Sequence, residues 1–183
     1  VVGSFIAERL PSHLTAEEIV LTGKYKSSIL YAPYGQAELD QAREMLTSIG
    51  GQELIGRSYA SLSQGEKQLL LIARSLMEKP ELLILDEATS GLDLFARERL
   101  LDQIGKITQM DQAPTILYVT HHVEEITEAM DHVLLLKEGE IIAQGPKEDI
   151  LQKEVMDRFY PQPVELIELG EDRYFVKVEV RSS

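Results

Sequence analysis

The sequence predicts an α/β fold with a parallel sheet, an N-terminal helical subdomain and C-terminal β-hairpins. Helix-like and strand-like segments alternate in the middle of the chain, which is typical of βαβ units and a parallel sheet. The uniformly apolar segment Leu82 to Leu85 is typical of a strand that is buried on both faces. Two later pairs of strand-like segments, each joined by a short turn, predict the hairpins.

Length and composition limit the class of protein. The 183 residues correspond to one domain or slightly more, and 44% apolar with 27% charged residues is ordinary for a globular chain. The net charge of −13 disfavours a nucleic-acid-binding surface. The absence of cysteine excludes disulfides, thiolate zinc sites and cysteine nucleophiles. No apolar run approaches the length of a membrane span, so we expect a water-soluble protein.

The elements up to residue 80 are mostly helical. Thr15-Ala16-Glu17-Glu18 is a capping box and predicts a helix through about Thr22. Tyr25 to Gly35 has the composition of a loop, and Glu38 to Ile49 has helical apolar spacing that ends at Gly50-Gly51.

A second capping box begins the next helix. Ser63-Gln64-Gly65-Glu66 precedes an apolar helical pattern that ends before Pro80. We therefore predict a helical subdomain over residues 1–80 and an α/β part with a terminal hairpin over 81–183.

The elements after Leu85 alternate between helix and strand. We predict, in order, a helix Leu94 to Ile107, a strand Thr115 to Thr120, a helix His122 to Met130, a hairpin of Val133 to Lys137 with Ile141 to Gln144, a helix after Pro146, and a hairpin of Val164 to Leu169 with Tyr174 to Val180.

The segment Leu62 to Glu66 is a candidate anion site. A helix N-terminus offers unsatisfied N–H groups and the positive end of the helix dipole. Gly65 would let a phosphate approach the backbone closely. The alternative is a capped helix without a ligand, because capping boxes are common.

Two carboxylates and a histidine stand where strands end. Asp86 and Glu87 follow Leu82 to Leu85, and ligands of α/β proteins bind at the carboxyl ends of strands. Adjacent residues of an extended chain point to opposite sides, so one carboxylate can hold a metal while the other polarises a water. An acidic strand edge is the alternative. His121 can sense a phosphate at a strand end, although a lone histidine is more often structural.

Taken in order, these segments resemble the ATP-binding-cassette (ABC) ATPases. Leu62 to Glu66 is similar to their signature motif, Leu82 to Glu87 to their Walker B strand, Ser90 to Asp93 to their D-loop, and His121 to their switch histidine. The resemblance covers about Thr15 to Leu151 and implies a partial P-loop NTPase core.

The resemblance implies ATP and Mg²⁺ as cofactors and a dimer in which two cassettes enclose two ATP molecules. In that dimer, Ser63 and Gly65 with the helix N-terminus would hold the γ-phosphate of the ATP bound to the partner. The implied cofactor-binding residues are Ser63, Gln64, Gly65, Glu66 and Asp93. Asp86 is the implied Mg²⁺ residue, Glu87 and His121 are the implied catalytic residues, and Asp93 couples the two sites.

The family's phosphate-binding loop, Gly-x-x-x-x-Gly-Lys-[Ser/Thr], does not occur in this sequence. Neither Gly23-Lys24 nor Gly105-Lys106 has the required flanking residues. Nor does any glutamine precede Gln36 to act as the family's Q-loop residue. We expect the chain to be a piece of a longer ATPase that is inactive by itself; a degenerate cassette is the alternative.

For the parent protein, the resemblance implies the ATPase subunit of an importer. Its partner would be a transmembrane permease, and it would lie on the cytoplasmic face of the cell membrane. The solute would be small, of the molybdate or iron-chelate kind. The helical subdomain would dock onto the permease. Part of the docking groove could come from Tyr25, Tyr31 and Tyr34, and ordinary loop packing is the alternative for these residues. The alternative functions are a non-transport cassette acting in translation or DNA repair, and a regulatory cassette without catalysis.

Overall fold

A computed structural model describes residues 10–25, 34–170 and 173–179. The chain divides into two compact units, the first unit Val1–Val119 and the second unit Thr120–Ser183. The predicted boundary after residue 80 stays a prediction. Tyr31 and most of the predicted loop from Tyr25 to Gly35 lie outside the described residues.

The helices of the first unit begin where their capping residues predict. In the described residues they are α1 (Ala16–Lys24), α2 (Gln36–Ser48), α3 (Gln64–Leu76) and α4 (Leu94–Thr108). Both predicted capping boxes are confirmed, with Thr15 and Ser63 as the N-cap residues. Helix α2 begins two residues before the predicted Glu38, because the Glu38 carboxylate accepts the Gly35 amide at 3.0 Å and closes an earlier first turn. No helix of the described part has the length and hydropathy of a membrane span.

Helices α1 and α3 approach each other closely at Gly23. A Cβ atom on Gly23 would lie 2.0 Å from the carbonyl oxygen of Arg74, so only glycine permits this packing distance. The Arg74 Nε–H also donates to the Thr22 hydroxyl at 2.7 Å, and that hydroxyl donates to the Ile19 carbonyl at 2.6 Å. This contact makes α3 and α1 one packed layer of the apolar core.

A parallel strand pair lies beside the helices, as predicted. Strand β1 (Leu82–Asp86) pairs with β2 (Thr115–Val119) in parallel, with Leu82 opposite Thr115, and α4 connects the two strands. The prediction that Leu82 to Leu85 is buried on both faces is wrong. Leu83 and Leu85 are buried in the core, whereas Leu82 on the other face is 52% exposed. Within the described residues that face is largely open, since Leu117 on it is also 50% exposed.

The second unit is built mainly from two antiparallel hairpins, and both were predicted. Strand β3 (His132–Lys137) pairs with β4 (Glu140–Pro146), and β5 (Val164–Gly170) pairs with β6 (Arg173–Val178). In the first hairpin turn, Glu138 and Gly139 have φ values of 53° and 83°, which suit a tight two-residue hairpin turn. Between the hairpins lie two short helices, α5 (Lys147–Ile150) and α6 (Lys153–Phe159), the first of which was predicted after Pro146.

The predicted helix His122 to Met130 is wrong. The structure has only a 3₁₀ turn, Val123–Glu125, after which Ile126 is extended at φ −71° and ψ 122°. In a helix the Glu124 carbonyl would accept the amide four residues later. Here that carbonyl accepts a hydrogen bond from the Arg173 guanidinium at 2.7 Å. Arg173, far along the chain, therefore donates to the carbonyl that a helix would need as an acceptor.

Candidate functional site

The segment around Ser63 forms a reciprocally capped helix start. The Glu66 carboxylate accepts the Ser63 amide at 2.7 Å, and the Ser63 hydroxyl accepts the Glu66 amide at the longer distance of 3.4 Å. Ser63 and Gln64 are exposed, while Leu62 before them is buried and anchors the turn. This arrangement directs the N-terminal end of α3, with its positive dipole end, toward solvent, where an anion can reach it.

Arg57 holds this turn from outside, and no pattern in the sequence indicated this role. Its guanidinium contacts the two carboxylate oxygens of Glu66 at 2.5 and 3.2 Å and also donates to the Ser61 carbonyl at 3.1 Å. The Arg57 hydrogen bonds lower the pKa of Glu66, against the smaller opposing effect of burial. Glu66 is thus an ionised link between Arg57 and the Ser63 amide. We refer to residues 61–66 as the signature turn.

A buried carboxylate fixes the loop from which Arg57 extends. Glu17 on α1 is 4% exposed and accepts the Gly56 amide at 2.9 Å and the Arg43 guanidinium at 3.2 Å. Burial acts to raise the pKa of Glu17, but the hydrogen bonds from Gly56 and Arg43 outweigh it, and the pKa is lowered. The ionised Glu17 carboxylate therefore links three elements by hydrogen bonds: α1, α2 and the loop before Arg57.

The signature turn and the start of α4 line one cavity of about 260 Å³. Ser63, Gly65 and Glu66 contribute from one side, and Asp93 and Phe95 from the other. The structure therefore brings together the predicted signature residues and the predicted D-loop aspartate.

Gly65 packs closely against the start of α4 at this cavity. A Cβ atom there would lie 3.3 Å from the Ala96 Cβ and 3.8 Å from a Leu92 methyl group, so the space beside Gly65 is filled by α4. A phosphate that approaches Gly65 closely, as predicted, would therefore have to contact its backbone from the side that faces away from α4.

Asp93 has a structural partner of its own. Its carboxylate accepts the Ala96 amide at 3.0 Å and so caps α4, while the residue stays exposed. A capping aspartate stabilises a helix and adds negative charge at the positive end of its dipole. If Asp93 acts across a dimer, its side chain does so while it is held in place by the Ala96 amide.

The two carboxylates after β1 differ in backbone conformation. Asp86 is the last residue of β1, whereas Glu87 has φ 46°, a left-handed conformation that is rare for a residue with a side chain. The expectation that the chain stays extended through both residues is therefore wrong at Glu87. The Glu87 amide donates to the Val119 carbonyl at 2.9 Å and its carbonyl accepts the Ser90 amide at 3.0 Å, so neighbouring structure enforces this conformation. Both carboxylates are exposed.

His121 lies in the second unit, two residues after β2. It is exposed, and its ring lies 4.0 Å from the ring of His122 at an angle of 41°. His122 also contacts the Glu124 carboxylate at 3.4 Å. We refer to residues 120–125 as the histidine turn.

The donor set for a metal ion is small. Within the described residues there is no cluster of three or more His, Cys, Asp or Glu side chains. Asp86 supplies a single exposed carboxylate at the end of β1. That fits Mg²⁺, which proteins bind through one or two carboxylates while waters and substrate phosphates complete its octahedral shell.

Comparison with known proteins relates this arrangement to one family. A family model described as ABC transporter matches residues 2–90. An ABC transporter ATP-binding protein of Streptococcus mutans is 67% identical over 180 residues, which are 98% of this chain and 69% of the relative. The molybdenum import ATP-binding protein ModC of Escherichia coli O157:H7 is 36% identical over 131 residues, which are 70% of this chain and 37% of the relative.

Solved structures agree. A metal-chelate type ABC transporter in an inward-facing conformation matches with a TM-score of 0.76 and 25% identity, over 93% of this chain and 69% of that chain. The fold of that neighbour is therefore the fold of nearly the whole chain described here. On this evidence, the chain belongs to the family of ABC transporter ATP-binding proteins.

Proposed function

We propose that this chain is part of the ATP-binding subunit of an ABC transporter, which couples ATP hydrolysis to solute transport. The observation that carries the proposal is the conformation of Glu87, an exposed carboxylate held at φ 46° directly after β1. Such conformations cost about 1–3 kcal/mol and persist at functional sites where surrounding structure enforces them. Glu87 is the residue that the family resemblance assigns to the attacking water.

The reaction is attack of water on the γ-phosphorus of ATP, which breaks the bond to the bridging oxygen and yields ADP and phosphate. Glu87 orients the water and accepts its proton. His121 donates a hydrogen bond to a γ-phosphate oxygen. Asp86 would hold Mg²⁺, and the ion would supply positive charge near the phosphates.

The signature turn serves the ATP of a second cassette in a homodimer. Ser63, Gln64 and Gly65 present the N-terminal end of α3 to that γ-phosphate. Glu66 is an anion that pairs with Arg57. It supports this helix start by accepting the hydrogen bond of the Ser63 amide. Asp93 couples the two sites from its fixed position at the start of α4.

The 183 residues alone do not turn over ATP in this proposal. They contain no Gly-x-x-x-x-Gly-Lys-[Ser/Thr] sequence to surround the phosphates. The helix dipole at α3 contributes about 0.3–1 kcal/mol, whereas a dissociation constant of 1 mM requires about 4.1 kcal/mol. The net charge of −13 also repels a nucleotide polyanion.

The parent subunit lies on the cytoplasmic face of the membrane and binds a transmembrane permease. Tyr25 and Tyr34 would supply part of the surface that docks onto the permease; Tyr25 is exposed, and the Tyr34 hydroxyl donates to the Glu18 carboxylate. The matched relatives named for molybdenum import and for a metal-chelate transporter support a small metal-containing solute. No feature of the described residues favours a role in translation or DNA repair.

The test is ATP hydrolysis by the parent protein with Glu87→Gln. We expect the rate to fall by about 10²–10⁴-fold, the usual contribution of a general base, while ATP still binds and the ATP-bound dimer accumulates. Glu81→Gln, the same change at the exposed residue just before β1, should keep the normal rate. A near-normal rate in Glu87→Gln would contradict the assignment, and hydrolysis by the 183 residues alone would contradict their proposed inactivity.

A further inference from the structure

The histidine turn is fixed internally by a hydroxyl and a buried carboxylate. The Thr120 hydroxyl accepts the His122 amide at 3.0 Å and donates to the Glu125 carboxylate at 2.6 Å. Glu125 is only 1% exposed. A buried carboxylate is costly unless hydrogen bonds compensate for its lost hydration, so the Thr120–Glu125 contact strongly favours one conformation of the residues between them. His121 is among those residues.

The same turn is held from outside by the C-terminal hairpin. The Arg173 guanidinium, at the start of β6, donates to the Glu124 carbonyl at 2.7 Å across 49 positions of sequence. Strand β6 also packs against the 3₁₀ turn Val123–Glu125. A charged donor makes this hydrogen bond stronger than one between neutral groups. The backbone position of the turn therefore depends on where the hairpin places Arg173.

The hairpin is itself anchored at its other end. The Lys153 ammonium on α6 donates to the Val164 carbonyl at 2.9 Å and pairs with Glu179 at 2.7 Å. The Asp157 carboxylate accepts the Val164 amide at 2.9 Å, and the Val164 side chain is buried. The hairpin is thus a supported element whose placement reaches the histidine turn through Arg173.

We propose that Arg173 and Glu125 are positioning residues for His121, so that the C-terminal hairpin sets the rate of the step in which His121 contacts the γ-phosphate. The proposal rests on the proposed function of His121. Neither residue contacts the nucleotide. Arg173 acts through the Glu124 carbonyl, and Glu125 acts through the Thr120 hydroxyl.

The experiment measures kcat and KM for ATP of the full-length parent protein with Arg173→Ala. We expect kcat to fall about ten- to a hundredfold with KM unchanged, because small displacements of a positioned group have effects of this size. Arg173→Lys should restore part of the rate, since an ammonium can donate to the same carbonyl. The control is Lys177→Ala, which removes only the exposed pair with Glu165 on the same hairpin. An unchanged kcat in Arg173→Ala would overturn the proposal.

A double variant separates this proposal from the role of His121. In a His121→Ala background, Arg173→Ala should cause no further loss, because both changes remove the same contact. If His121→Ala keeps a normal kcat, the proposed function of His121 is wrong. If His121→Ala lowers kcat and Arg173→Ala multiplies that loss, the positioning role alone is wrong.

A second variant covers the case in which Arg173→Ala does not fold. Thr120→Val keeps the shape of the side chain but removes both hydrogen bonds of the hydroxyl. It should lower kcat without changing KM, and an unchanged kcat would overturn the proposal equally.

Discussion

The signature turn and the histidine turn carry residues proposed to meet ATP, but they are held in different ways. Every hydrogen bond described for the signature turn comes from within nine residues of sequence, through Glu66, Ser63 and Arg57. The histidine turn depends on Arg173, which is 49 positions from its acceptor. The direct contacts of the first are all local, whereas the second is held both by its own Thr120–Glu125 contact and by a distant hairpin.

Removing one hydroxyl from each turn compares how strongly the two turns are held by their internal contacts, and it has the largest expected change in stability. The Thr120 hydroxyl makes two short bonds, one to buried Glu125, whereas the Ser63 hydroxyl makes one bond of 3.4 Å. Thr120→Val should lower the free energy of unfolding by about 1–3 kcal/mol, and Ser63→Ala by about 0.5 kcal/mol. Chemical denaturation measures both. Equal losses, or a larger loss for Ser63→Ala, would contradict the comparison.

Arg57→Met tests the local support of the signature turn, with a smaller expected change. The pair with Glu66 is partly exposed, so its loss should cost about 0.2–1 kcal/mol at neutral pH. Arg57 lowers the pKa of Glu66 in the folded protein. The stabilisation is therefore present above the ordinary carboxyl pKa of about 4.3 and is lost as the pH falls through the lowered folded value.

The measurement is the difference in unfolding free energy between the original protein and Arg57→Met as the pH is lowered. It should shrink toward zero once Glu66 is protonated. Glu66→Gln is the matched control, because Arg57→Met in that background should show no pH dependence of this kind. A difference that stays constant to low pH in the unmodified background would show that Arg57 does not act through the Glu66 charge.

Local patterns in the sequence were sufficient for much of the fold. Capping boxes at Thr15 and Ser63, and the hairpin turn at Glu138-Gly139, require only neighbouring residues, and the structure contains all of them. The helix from His122 to Met130 failed because the Glu124 carbonyl bonds to a residue in another element. The prediction that Leu82 is buried failed because burial depends on what packs against that face of the sheet. The composition of the strand carries no information about this.

The candidate site was predictable to the same extent. The residue types and their order predicted candidate residues in the signature turn, in the carboxylates after β1 and at His121, and these roles stay predictions. The supporting residues were missed, because Arg57, Glu125 and Arg173 act through contacts that no short pattern encodes. The left-handed conformation of Glu87 was missed for a related reason, since hydrogen bonds from β2 and from the following turn impose it.

The most direct test is the rate of ATP hydrolysis by mixed dimers of the parent protein. Ser63→Arg and Glu87→Gln should each inactivate a homodimer. If the signature turn serves the partner's ATP and Glu87 its own, a dimer of one Ser63→Arg subunit with one Glu87→Gln subunit retains one intact composite site and regains hydrolysis. A dimer of the double variant with the unmodified subunit then has none. The reverse pattern, activity only in the second dimer, would contradict the proposed division of labour between Ser63 and Glu87.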